Sequence, residues 1–502
     1  MPGQNGGGIM KIGLLCDTHL CGSISSPQHD FLLRAVERMK QDDVHTVIHL
    51  GDIAAYGERA AWDEFQNLAK EFNCYILLGN ADVRDSQSKD WFKERVCDVQ
   101  MVIGSRKIVG IHTPDGVITE HDRQRLQTLT DGDILLMHHY PESLESDSRA
   151  YLLTVASTHK LTMIHGHKHK SEDYIFGKSR VVGLSAVDPD KAIGNYPCIT
   201  YLDVSDQMVK VEKIALTIPQ AYIRDFADYL GLSCVDNHKD VNFAAEHNVR
   251  FIELRCNGKD WFPDETLLPK LETWRKKTNG YLSVHMPNLK WNGNEIQGVE
   301  QWNQAIVYAC RIGANGLTMH PPRVKKVELY QNQRLWDAYV SLYRDAVNRV
   351  PEDVKIGIEN VHMAVSEHEL PEENLEFGYT PPEVSLWIDT INRAVNKQGR
   401  VGHVLDVGHA RNNGYLASVY PVGRWYELMG ERTVAYHIHQ VVRSENGLKN
   451  HRPIENWFGP MISYVSFFYA WGKGMLNHAP VFLEVRGAEN YEKSLEAFHC
   501  II

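Results

Sequence analysis

At 502 residues the chain is too long for one ordinary core, and two or three domains are expected. Hydrophobic residues at 43% and charged residues at 23% describe a globular protein, and a net charge of -11 excludes a global basic field that would gather nucleic acid. Nine cysteines without a Cys-x-x-Cys pair read as reduced thiols rather than a disulfide framework. No apolar run is long enough for a membrane span, so a cytoplasmic location is expected.

Residues 1–9 are polar and Gly-rich and read as a disordered leader. From residue 10 onward, apolar stretches with the pattern of buried strands each end in a polar motif. KIGLLC leads to Asp17-Thr18-His19, VHTVIHL to Gly51-Asp52, and CYILL to Gly79-Asn80-Ala81-Asp82. DILLM leads to His138, and LTMI to Gly166-His167-Lys168-His169. Ionisable residues at the ends of buried strands, on loops held by a rigid sheet, are where ligand and metal chemistry sits. A lone histidine there is usually structural; five such sites in series have no comparable explanation. The chain then becomes strand-rich through DYIFG, RVVGLSA, CITYLDV and VKVEKIA, as hairpins added to an α/β core. A boundary is expected at about 217, within Leu216–Gln220.

The order and spacing of these motifs resemble the calcineurin-like metallophosphoesterases over residues 10 to about 215. The resemblance implies a two-sheet αββα sandwich for domain 10–217. It also implies one metal on Asp17, His19 and His169, a second on Asn80, His138 and His167, and Asp52 bridging them. Manganese, iron, nickel or zinc would suit such mixed N/O donors. Two cations about 4 Å apart can clamp a phosphate ester and generate a hydroxide nucleophile. Asp52, Asn80 and His138 are the catalytic candidates. Ala81 stands where many members carry a proton-donating histidine, which favours activated phosphodiesters over alkyl monoesters. His139 and His165 adjoin motif residues, and strand alternation would turn both away.

Beyond 217 the rhythm changes to strands separated by helical stretches: LGLSCV, VRFIEL, YLSVH, GLTMH, VKIGIE, VGHVLD, TVAYHIH and PVFLEV. One intervening stretch, LYQNQRLWDAYVSLYRDAVNRV, has helical spacing throughout. Eight such units make 218–502 a (β/α)8 TIM barrel, and the whole chain α/β. Successive strands end at His285, His320, Glu359-Asn360, Asp406, His437-Ile438-His439 and Glu484, with His409 just after the sixth. Strand C-termini share one mouth, so these groups would crowd together and need cations or dense hydrogen bonding.

This arrangement resembles the xylose-isomerase-like barrels, and among them the endonuclease IV family. The resemblance implies that His285, His320, Glu359, Asp406, His409, His439 and Glu484 hold zinc or manganese, with Glu359 as the bridge and His451 a weaker candidate. His437 and His439 share a strand face, and His439 is chosen for its place nearer the strand end. Lys449 replaces the aspartate that family carries near the loop histidine, which suggests two metals rather than three. Sugar isomerases of the same superfamily use a Glu-Asp-His-Glu quartet that Glu359, Asp406, His439 and Glu484 also satisfy; the three further histidines favour a phosphoesterase-like site.

The leading expectation is a two-domain metal-dependent hydrolase with phosphodiesterase chemistry at its N-terminal site. Alternatives are a DNA or RNA nuclease, a phosphoesterase fused to a sugar (phosphate) isomerase, or one active domain with one binding module. Nucleic acid is not favoured by net charge; the runs at 323–326 and 275–277 are candidate basic patches that more simply read as solvated helix faces. Substrate and oligomeric state stay open.

Overall fold

The computed structural model describes residues 9–256, 261–445 and 447–500; residues 1–8 of the expected leader lie outside them. Contacts divide the chain into two compact units, 1–218 with 463–466 and 219–462 with 467–502.

The first unit holds two sheets. Strands β1 (Met10–Leu15), β2 (Thr46–His49), β3 (Asn73–Ile76), β4 (Val99–Ile103), β5 (Arg106–Gly110), β6 (Ile134–Met137), β7 (Thr162–His165), β8 (Glu172–Phe176), β9 (Ser179–Gly183), β10 (Cys198–Val204) and β11 (Val209–Ala215) follow in chain order. One sheet runs β11-β10-β1-β2-β3 and the other β4-β5-β6-β7-β9-β8. Parity explains the layering. Ile12, Leu14 and Ile48 pack with Ile108, Leu136 and Ile164 in a core between the sheets. The opposite faces carry helices: a Cβ at Gly13 would meet Met39 of helix Pro27–Gln41. Val109, Leu135 and Met163 pack under helix Ser146–Thr158 through Leu152 and Ala156. All the central strands are parallel, so their C-terminal ends align at one edge.

The second unit is a closed barrel of eight parallel strands: Leu230–Ser233, Phe251–Arg255, Tyr281–His285, Gly316–Met319, Lys355–Glu359, Val401–Asp406, Thr433–Ile438 and Val481–Leu483. The stretch with helical spacing forms two helices, Lys326–Gln331 and Gln333–Arg349. Asn332 breaks it, because its side chain accepts from Leu335 N at 3.1 Å and caps the second helix. Among the described residues no helix is long and apolar enough to cross a membrane.

Candidate metal centres

In the first unit, Asp17 and His19 follow β1, Asp52 follows β2, Asn80 follows β3, His138 follows β6, and His167 and His169 follow β7. The sheet edge brings all seven together. His19 Nε2 lies 3.3 Å from Asp52 Oδ2, while His138 Nε2 lies 3.4 Å from Asp52 Oδ1. The two oxygens of Asp52 therefore face different halves of the cluster. His169 Nε2 is 3.5 Å from Asp17 Oδ1, and Asn80 Oδ1 is 3.1 Å from His138 Nε2. Such separations suit donors sharing one ion, since two donors about 2.0–2.2 Å from a tetrahedral cation stand roughly 3.3 Å apart.

The backbone is bent to achieve this. Asp17, His19, Asp52, His167 and His169 all have positive φ, between 43° and 64°, in the left-handed region that side chains other than glycine rarely adopt. Strain gathered on five functional candidates marks a site the rest of the fold holds in place. Gly79 is needed for close approach, as a Cβ there would sit 2.1 Å from Asp52 Oδ1.

Electrostatics divide the cluster. Burial drives the rings of His19 and His167 down to about 3, leaving neutral imidazoles suited to coordination. Burial opposes charge on His138 too, yet Asp52 outweighs it and raises that ring to about 9. Asp52 is held well below the carboxylate range: burial would raise it, but His138 and His19 prevail. The donors fit a divalent cation. One donor atom from each of Asp17, His19, Asp52 and His169 lies within 4.8 Å of the others, and His19 Nδ1 is buried without a hydrogen bond.

Of the two histidines adjoining motif residues, one departs from expectation. His139 does not turn away: its ring stacks on His167 with centroids 4.2 Å apart, and its nitrogen groups with those of His138 and His167. Strand β6 ends at Met137, so the pleat no longer dictates direction at 139. His165 does stay outside, with Nδ1 bonded to Gly166 O at 2.8 Å. Asp82 is a clamp, accepting from the amides of Asp52, Ala54 and Gly79 at 2.9 Å each. Ala81 is 1% exposed, so a histidine would be a poor fit there.

In the barrel the seven expected residues also converge. His285 Nε2 and His320 Nε2 each lie 3.0 Å from Glu359 Oε2, and His409 Nδ1 lies 3.4 Å from Glu359 Oε1. His409 Nδ1 and His439 Nε2 flank Asp406 at 3.3 and 3.2 Å. His451 Nδ1 lies 3.5 Å from Glu484 Oε1, and His451 joins His439 and Glu484 in one potential metal group. The Asp-x-x-His spacing has a local cause. Asp406 caps the short helix Val407–Arg411, its Oδ1 accepting from His409 N at 2.7 Å, which turns His409 back over the mouth. Gly408 leaves room, since a Cβ would lie 1.9 Å from His439 Cε1.

These donors fit cations as well: Asp406 Oδ2, His451 Nδ1 and Glu484 Oε2 are buried without a hydrogen bond. Lys449 is exposed on the hairpin strand Gly447–Arg452 and supplies no donor. Sequence reasoning missed Glu253, Arg255 and the depth of His437. Glu253 and Arg255 lie in FIELR, which reads as an apolar strand; only the charged letters themselves gave a signal. Arg255 pairs with Glu484.

The two basic runs are each partly engaged, while Lys276, Lys277 and Lys325 are exposed, as solvated faces would have them. Arg323 pairs with Glu376 at 2.6 Å, Lys326 with Glu383 and Glu372, and Arg275 donates to Ile312 O at 2.6 Å.

The family model described as calcineurin-like phosphoesterase superfamily domain matches residues 10–189, and that described as xylose isomerase-like TIM barrel matches 241–499. Among solved structures, a D-tagatose 3-epimerase-like protein is 16% identical with a TM-score of 0.38, over 54% of this chain and 97% of its own. Endonuclease IV from Thermus thermophilus is 15% identical with a TM-score of 0.37, over 54% and 98%. An uncharacterised predicted phosphoesterase from Streptococcus pneumoniae is 13% identical with a TM-score of 0.25, over 41% and 90%. No curated protein matches the chain.

Proposed function

Since the chain belongs to the xylose isomerase-like TIM barrel family and carries a calcineurin-like phosphoesterase domain before the barrel, it is a two-domain metal-dependent enzyme, and we propose that its N-terminal site hydrolyses phosphodiesters. The observation that carries this reading is Asp52, whose two oxygens face His19 and His138 on opposite sides. That is the arrangement a carboxylate bridging two cations requires.

Divalent cations held there, manganese, iron, nickel or zinc, would polarise the phosphoryl group and acidify the attacking water. The chain's own residues do the rest. Asp17, His19 and His169 hold one half, Asn80, His138 and His167 the other, and Asp52 ties them at fixed spacing. Asp82 locks the Gly51–Asp52 and Gly79–Ala81 turns against each other, so the bridge cannot drift. Ala81 offers no proton to the leaving group, so esters whose leaving groups depart as stable anions are the favoured substrates.

The test is Asp52→Asn, assayed on bis(p-nitrophenyl) phosphate with manganese or zinc. Hydrolysis is expected to fall to near background with circular dichroism unchanged. Wild-type rates in a folded variant would overturn the reading.

For the barrel, we infer a second multi-metal site holding zinc or manganese. His285, His320 and His409 support it over a one-metal isomerase, because all three face Glu359 rather than pointing away. Its substrate class would be phosphate esters, and nucleic acid stays the weaker alternative because the net charge is -11 and Arg323 and Lys326 are engaged in ion pairs.

A further inference from the structure

Beneath the barrel mouth lies a further buried carboxylate. Glu253, in the second barrel strand, is 0% exposed between Ile252 and Leu254. Its Oε1 accepts from Ser283 Oγ at 3.1 Å and Thr318 Oγ1 at 2.6 Å, on the two following strands. Its Oε2 makes no hydrogen bond and lies 2.8 Å from His437 Nε2. His437, also 0% exposed, turns its other nitrogen to the mouth: Nδ1 is 3.2 Å from Glu359 Oε1 and 3.4 Å from Glu484 Oε2. One imidazole thus joins the carboxylates of the second, fifth and eighth strands.

A carboxylate buried in a barrel core costs several kcal/mol unless it is fully partnered, and an apolar side chain would close the barrel more cheaply. A purely structural glutamate would have both oxygens satisfied by the fold. Here Ser283 and Thr318 hold one oxygen, and the other is aimed at a ring that touches both Glu359 and Glu484. Outer partners of this kind orient metal donors and commonly govern affinity.

We propose that Glu253 and His437 are a positioning pair that sets the spacing of Glu359 and Glu484, and with it the capacity of the barrel mouth for cations. This rests on the reading of that mouth as a metal site. Glu253 anchors the ring from below through Ser283 and Thr318. His437 holds Glu359 and Glu484 at one separation, leaving Glu359 Oε2 to His285 and His320.

The test uses the full chain carrying Asp17→Asn and Asp52→Asn, which removes two donors of the N-terminal site, titrated with cobalt(II) and followed by visible absorption and bound metal per chain. Adding Glu253→Gln is expected to weaken cobalt binding about 10–100-fold and to shift the absorption bands. Thr318→Val, which removes one anchor of Glu253 and touches no donor, is expected to act in the same direction more weakly. It keeps the test valid if Glu253→Gln does not fold. Unchanged affinity and spectrum in the folded variants, with only a lower melting temperature of the metal-free protein, would show a structural role and overturn the proposal. If the parent takes up no cobalt at all, the metal reading of the barrel falls first and the proposal with it, an outcome distinct from the former.

Discussion

Asp52 and Glu359 hold corresponding places in two unrelated folds. Each is a buried carboxylate whose oxygens face different imidazole groups, and each is kept ionised by them against the cost of burial. Small shifts matter at such points. Gly79→Ala would drive a methyl into Asp52 Oδ1, and a displacement of about 1 Å is expected to cost roughly 100-fold in phosphodiester hydrolysis. Steady-state rates, with circular dichroism as the control for folding, check it. Lys326 illustrates a different kind of buried charge. Burial alone would lower its ammonium pKa, but Glu383 and Glu372 outweigh burial and raise it. A raised lysine pKa stabilises the fold fully below the unfolded value, near 10.5, and that contribution is lost as pH rises above it. Lys326→Met leaves Glu383 buried with only the amides of Gly378 and Tyr379, and is expected to cost about 3–5 kcal/mol in urea unfolding at neutral pH.

At the scale of elements, strand ends and helix caps decide where chemistry falls. The D-x-x-H motif works because one residue type caps a helix while presenting a second oxygen to the mouth. Asn332 shows the same capping chemistry interrupting a helical pattern that spacing alone would run through. The short segment Asp225–Tyr229 before the first barrel strand is held by aromatic packing: Phe226 sits 5.2–5.4 Å from the rings of Phe468, Phe498 and Trp471. Phe226→Ala is expected to lower stability by about 3–5 kcal/mol, read from the midpoint of the barrel's unfolding transition. A loss below about 1 kcal/mol would mean that the site collapses freely.

For the whole molecule, each unit draws its candidate donors from its own strands, so metal should stabilise the two independently. Ligands that bind only the folded state add about 2.7 kcal/mol at a hundredfold excess over Kd. Scanning calorimetry with and without EDTA should show both transitions moving down on chelation. Asp52→Asn should shrink the effect on one transition and leave the other. A single transition indifferent to EDTA would contradict both metal readings.

Much of this was legible in order and spacing. Strand-length apolar runs ending in Asp, Asn or His declare both a fold and an edge, because a parallel sheet must place all its C-terminal ends together. The eight-unit rhythm after residue 217 likewise requires a closed barrel with one polar mouth. What the sequence could not decide is direction beyond the strand ends and partnership inside the barrel. His139 left the alternation because β6 stops two residues earlier. Glu253 looked like one charge in an apolar strand until Ser283, Thr318 and His437 met it from three other strands. Periodicity is a property of neighbours along the chain. These contacts reach 30 residues to Ser283, 65 to Thr318 and further still to His437, and they exist only once the barrel has closed.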